Sequence, residues 1–168
     1  MLQTPVDIHS ADGVLLKGHR WSAAKAAAEG LVVINPATGV KANYYHHYAR
    51  FLSAHGFEVL TFDYRGIGLS RPERLERCGW DWRQWGERDV ETMIGLALTS
   101  DLPVSVVGHS IGGVLPGYAP SASRLARMLT MGAQYAWWRD YPTDRRRRMF
   151  LKWHVLMPAL TAVTGYFP

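Results

Sequence analysis

Residues 103–113 read Pro103-Val104-Ser105-Val106-Val107-Gly108-His109-Ser110-Ile111-Gly112-Gly113. An apolar, β-branched run passes at once into Gly108-His109-Ser110-Ile111-Gly112, a G-x-S-x-G spacing. That order predicts a buried strand turning sharply into a helix, with a serine at the apex of the turn. Gly108 and Gly112 are the small residues such a turn requires, because glycine tolerates close backbone approach and unusual dihedrals. A serine hydroxyl is a weak nucleophile until a base takes its proton. Backbone N–H groups beyond the turn, and the dipole of the helix that follows, favour developing negative charge. The stretch points to nucleophilic chemistry at Ser110. The bland alternative is an ordinary strand-to-helix turn, and the strand placed directly before the motif favours the chemical reading.

Outward from this motif, strands and helices alternate. Leu31–Ile34 is a continuous apolar run that suits a strand buried on both faces, and it stops at the loop Asn35-Pro36-Ala37-Thr38-Gly39. Asn43 is a candidate cap for a helix on which Tyr44, Tyr48, Phe51, Leu52 and His55 recur at helical spacing, and Gly56 ends it. Phe57–Phe62 reads as the next strand. It is closed by Asp63-Tyr64-Arg65-Gly66-Ile67-Gly68, where Asp63 and Arg65 are expected to satisfy nearby backbone. Asp81 with Gln84 resembles a capping box, opening a helix with Trp82, Trp85, Asp89, Met93 and Leu96 on one stripe. Leu125–Met131 predicts a further strand. At the N-terminus, Val6–His9 and Val14–Trp21 flank the hairpin signal Asp12-Gly13. The expected fold is therefore α/β: an N-terminal antiparallel hairpin leading into a mostly parallel sheet with helices on both faces. The pattern changes after residue 133, so residues 1–133 are expected to form a core and residues 134–168 a separate segment.

Composition narrows the partners. A chain of 168 residues is one domain by length and can bury a real core. The net charge is +5, and four of the positive charges form the run Arg145–Arg148, read as a solvated face. A nucleic-acid surface would spread its basic residues along a groove, so no nucleic-acid partner is expected. The single Cys78 lies in a polar stretch, Arg74–Arg77 preceding it, and reads as a loop thiol. Neither a signal peptide nor a spanning helix is visible. The apolar stretch 155–167 contains Pro158 and Gly165 and falls short of the roughly 20 residues a span needs. A cytoplasmic protein is expected. Gly66-Ile67-Gly68 lacks the third glycine of a dinucleotide fingerprint, no Walker A loop occurs, and no cluster has metal-ligand spacing, so no cofactor is expected.

Stabilising a tetrahedral oxyanion takes a second backbone N–H besides that of Ile111. Ala37 is the candidate, since it lies in the loop after the third strand and Pro36 has no N–H to give. With these residues in place, the chain resembles the α/β-hydrolase superfamily, in the branch of serine-aminopeptidase-like and monoacylglycerol-lipase-like enzymes. The resemblance rests on Asn35-Pro36-Ala37-Thr38-Gly39, where relatives carry a His-Gly loop, on Phe62 to Ser70, and on Gly108 to Gly112. It covers about the first 130 residues. The segment from Tyr135 to Pro168 resembles the start of a lid. The resemblance implies Ser110 as nucleophile and Ala37 and Ile111 as oxyanion donors. It also implies cleavage of an ester, amide or related acyl bond of a small, apolar substrate through an acyl-Ser110 intermediate.

In that fold an acid and then a histidine follow the serine. After Ser110 the acids are Asp140 and Asp144 and the histidine is His154. Ten positions separate Asp144 from His154, and a strand, helix and strand do not fit between them. His154 therefore reads as a lid or core histidine, and no residue is assigned as triad acid or base. His46 and His47 open the first helix beside the Asn35 loop and read mainly as surface or packing residues. His109 is too close to Ser110 along the chain to serve as its base, and His9 and His19 lie in the hairpin. Two strands of the fold have no counterpart, so the chain reads as a fragment of a longer hydrolase. Residues 125–131 would then form an open sheet edge through which copies could self-associate. The second reading is a non-catalytic binding or interaction protein of the same fold.

Overall fold

The Asp12-Gly13 turn closes β1 (Gln3–His9) onto β2 (Leu15–Trp21) as an antiparallel hairpin with Val6 opposite Gly18. Gly13 supplies the turn's positive φ of 82°. The computed structural model describes residues 2–76 and 78–166. β2 pairs antiparallel with β4 (Phe57–Phe62), and β4 pairs parallel with β3 (Gly30–Asn35). β3 then pairs parallel with β5 (Val104–His109), and β5 with β6 (Arg127–Met131). The sheet order is β1-β2-β4-β3-β5-β6. Each parallel connection passes through helical segments, as a crossover must.

Every residue of β3 is buried, because both faces of the sheet are covered. Leu31 and Val33 share one core with Met93 and Ile94 of α3 (Glu91–Ala97). Val32 and Ile34 share the other with Ala49 of α1 (His46–Ala54). That is the period-2 alternation of a strand, read from both sides. Each such side chain contributes roughly 1.5–3 kcal/mol by leaving water.

Two helices differ from the sequence expectation. Asn43 does not cap α1. A 3₁₀ turn, Ala42–Tyr45, precedes that helix without a side-chain cap, and Asp63 Oδ1 instead accepts from the Ala42 N–H at 2.7 Å. The expected stripe is also rotated. Tyr44 and Phe51 are exposed, while Tyr45, Ala49 and Ser53 are buried, so small residues let α1 sit close to the sheet. Gly56 closes the helix with φ +97° as expected. The second difference follows Ser110. In place of an α-helix there are 3₁₀ turns at Ser110–Gly113, Leu115–Tyr118 and Pro120–Arg124. Gly112, Gly113, Gly117, Pro116 and Pro120 explain this, since glycine and proline are the poorest helix formers. Individual N–H groups, rather than a helix macrodipole, are therefore what the turn offers to an anion.

The Asp81 capping box is present in both halves, Arg83 N–H to Asp81 Oδ1 at 2.8 Å and Asp81 N–H to Gln84 Oε1 at 3.0 Å. It opens α2 (Trp82–Gln84), which runs through a π-helical turn at Trp85–Val90 into α3. Asp89 interrupts the apolar stripe and is nonetheless fully buried. β6 and β1 are the two edges of the described sheet, and all five residues of β6 are exposed.

The chain divides into two compact units, Met1–Arg71 with Asp81–Ala133, and Pro72–Trp80 with Gln134–Pro168. In the second unit α4 (Thr143–Leu151) continues through a π-helical turn at Lys152–Leu156 into α5 (Met157–Thr164). Gly165 ends the run at φ +79°, its N–H bonding to Thr161 O at 2.8 Å. Arg145–Arg148 are exposed, as expected of a solvated face. Of the apolar stretch expected over 155–167, Phe167 lies outside the described residues, as does Arg77. Among the described residues no helix is long and apolar enough to cross a membrane.

Candidate active site

β5 ends at His109, and Ser110 begins the turn with φ +54°. A left-handed conformation costs a non-glycine residue roughly 1–2 kcal/mol, so the surroundings must hold it. They leave no space for alternatives. A Cβ on Gly108 would lie 2.4 Å from Gly112 O and 2.5 Å from Gly113 Cα. One on Gly112 would lie 2.3 Å from Asn35 O and 2.6 Å from Pro36 O. Both glycines are required by close approach of backbone to backbone.

The second contact is the loop after β3. Asn35 pairs with Gly108 in the parallel ladder, so the residues after each lie side by side at the same sheet end. Asn35 is fully buried and donates from Nδ2 to Gly112 O at 3.2 Å, tying the loop to the serine turn. Tyr64 Oη donates to Pro36 O at 3.1 Å, and the Val40 N–H bonds to Ala37 O at 3.1 Å. Ala37 is buried, and its N–H donates to Tyr45 Oη at 2.9 Å. Tyr45 Oη in turn lies 2.9 Å from His109 Nδ1. Burial pushes the Tyr45 phenol above its ordinary pKa, so it keeps its proton. Ser110, Ala37 and Ile111 thus share one corner of the first unit. The anchors Asn35, Tyr45 and Tyr64 were not anticipated as site residues. Tyr45 was hidden by the misjudged phase of α1, and Asn35 by reading it only as a loop residue.

Beneath the loop, Asp63 accepts from the Ala42 and Leu69 N–H groups at 2.7 and 2.8 Å. Arg65 does more than satisfy backbone, which corrects the sequence expectation. It is buried, with Nε 2.7 Å from Asp89 Oδ1 and Nη1 2.7 Å from Asp12 Oδ2. Burial pushes the Asp89 carboxyl up to about 6, against the hydrogen bonds and charge of Arg65. Asp12 is held well below the usual carboxylate range, chiefly by its hydrogen bond from Arg65. Burial disfavours the charge on Arg65, but the bonds to Asp12 and Asp89 outweigh it and keep the guanidinium protonated.

His154, Asp140 and Asp144 belong to the second unit and Ser110 to the first. The His154 ring packs with Phe150 and Trp137, at centroid separations of 5.1 and 6.0 Å. Asp140 and Asp144 are exposed. His46 packs 5.0 Å from the rings of both His19 and Trp21, and burial lowers its pKa. Cys78 is a free thiol whose Sγ lies 3.3 Å from Arg74 O. Among the described residues no group of three His, Cys, Asp or Glu side chains is placed to hold a metal ion.

With this geometry in view, similarity to known proteins is informative. Residues 26–160 match a family described as serine aminopeptidase, S33. A Schizosaccharomyces pombe protein assigned as a monoglyceride lipase is 28% identical over 151 residues, covering 88% of this chain and 38% of that protein. The crystal structure of the α/β hydrolase GrgF from Penicillium sp. sh18 superposes with a TM-score of 0.70 at 20% identity, covering 100% of this chain and 57% of the other. A soluble variant of monoglyceride lipase from Saccharomyces cerevisiae, solved with a substrate analogue, gives 0.67 at 18% identity, covering 90% and 52%. These structural likenesses carry the fold. The chain spans well under two thirds of each relative's length.

Proposed function

The chain belongs to the serine aminopeptidase S33 family and has the α/β-hydrolase fold, and from that premise we propose that Ser110 is the nucleophile of an acyl hydrolase. The observation that carries the reading is the backbone of Ser110 itself. A non-glycine residue at φ +54°, wedged between two glycines that have no space for a Cβ, is strain held in place by its surroundings. The reading follows as a reaction. Ser110 Oγ attacks the acyl carbonyl carbon as a base removes the hydroxyl proton. The carbonyl oxygen becomes an oxyanion, which the Ala37 and Ile111 N–H groups receive. Collapse expels the alcohol or amine, which takes up the proton the base removed, and leaves an ester on Ser110, which water then cleaves to the acid and free serine. No residue is assigned as acid or base.

The proposed substrate is a small ester with an apolar acyl group. The support is the likeness to proteins named as monoglyceride lipases. The second unit is proposed as a lid segment, a reading supported by its helical run with exposed Leu151, Val155, Leu156 and Leu160. Acid-quenched incubation with a p-nitrophenyl ester tests the reading. The peptide containing Ser110 gains the acyl mass in the native chain and not in Ser110→Ala. Without acylation, the second reading, a non-catalytic protein of the same fold, replaces it.

A further inference from the structure

Two polar groups from two other elements meet at one buried oxygen, Tyr45 Oη. The Ala37 N–H comes from the loop after β3, the His109 ring from the end of β5, and Tyr45 Oη from the turn before α1. Both contacts measure 2.9 Å. Their polarity follows from what each group can do. An amide N–H only donates, so Tyr45 Oη accepts there. The phenol's single proton then has His109 Nδ1 as its acceptor. The reverse direction would leave a buried phenol proton unpaired, which is the costly arrangement. An imidazole that accepts at Nδ1 carries its proton on Nε2.

We infer that Tyr45 is a positioning residue for the Ser110 site: its hydroxyl sets the direction of the Ala37 N–H and locks the ring of His109, the residue before the nucleophile, in the Nε2–H form. This rests on the reading of Ser110 as nucleophile and Ala37 as oxyanion donor. Before substrate arrives, the Ala37 N–H is satisfied by a neutral phenol. An acyl oxygen arriving at Ser110 shares that N–H with Tyr45 Oη, and its hold strengthens as it gains charge, because bonds to an ionised acceptor are roughly twice as strong as neutral ones. The same hydroxyl ties the residue before Ser110 to the turn that precedes α1, helping to keep the strained turn in register. Tyr45→Phe removes only the oxygen and leaves the ring, which packs 6.1 Å from His109.

The test pairs a structural readout with a kinetic one on the full chain. Nitrogen-15 NMR of the native protein should show His109 with Nδ1 as acceptor and the proton on Nε2, and Tyr45→Phe should release that tautomer to a mixture. Labelling of Ser110 by a fluorophosphonate should slow about tenfold in Tyr45→Phe, the loss expected for one buried hydrogen bond, with the fold intact by circular dichroism. A His109 proton on Nδ1 in the native protein overturns the inference. So does labelling of Ser110 at equal rates in both proteins. Absence of labelling in both overturns the nucleophile reading instead, so the two failures are distinguishable.

Discussion

Asn35 sits directly opposite Gly108 in the parallel ladder between β3 and β5. One pairing thereby brings the loop that carries Ala37 alongside the turn that carries Ser110. The Asn35 side chain bonds to Gly112 O, and Asn35 O lies where a Cβ on Gly112 would go. The expected result for Gly112→Ala is a loss of about 1–3 kcal/mol of stability, since backbone must move to admit the methyl group. Urea unfolding checks this. The same substitution at Gly95, where a Cβ meets nothing within 4 Å, should not destabilise the protein.

Ser110 holds a conformation that glycine adopts without strain. Ser110→Gly should therefore raise stability by about 0.5–1 kcal/mol while removing the hydroxyl. A shift of the urea midpoint to higher concentration is the expected observation. A destabilised Ser110→Gly protein would show that the turn is unstrained.

Arg65 and Asp89 form a fully buried pair. Removing Asp89, as in Asp89→Ala, should cost about 3 kcal/mol, because the buried Arg65 N–H and Nε lose their acceptor and Asp12 is left to pair with the guanidinium. The pH dependence has a definite sign. Asp89 has a folded-state pKa of about 6, above its ordinary 3.8, so the folded protein binds this proton more tightly than the unfolded chain. Its contribution is full below the ordinary value and is lost as the pH rises through about 6. Asp12 runs oppositely, its depressed pKa giving stability that is lost on acidification. Relative to Asp89→Asn, which cannot titrate, the native protein's melting temperature should fall between about pH 4 and pH 7. A difference that stays flat across that window contradicts the assignment.

All five residues of β6 are exposed on the sheet edge, Met128, Leu129 and Met131 among them. An open, apolar edge is a template for pairing with another chain. Sedimentation should show self-association that rises with protein concentration. Leu129→Lys should reduce it, because a charge on an edge strand opposes pairing.

All six strands were legible, within a few residues at their ends, because their signal is local: β-branched runs, glycine boundaries and a two-residue hairpin turn. Phe57–Phe62 matches its strand to the residue. The Asp81 capping box was equally plain, being complete within four residues. What escaped depends on partners distant in sequence. Asp89 looked like a flaw in an apolar stripe until Arg65, from the turn after β4, supplied its partner. Tyr45 was assigned no role because Tyr44 and Tyr48 fit the helical spacing as well, and only the preceding 3₁₀ turn rotates Tyr45 inward. The absence of an α-helix after Ser110 was foreshadowed by its glycines and prolines, but the serine motif drew the reading toward a helix.

The most direct measurement is mass-spectrometric mapping of a fluorophosphonate adduct on the native chain and on Ser110→Ala. One adduct on the peptide containing Ser110, absent from the alanine variant, is the outcome expected of a nucleophile held in this turn. An unlabelled native chain, or a variant that labels as readily, would contradict the reading of Ser110 as the nucleophile.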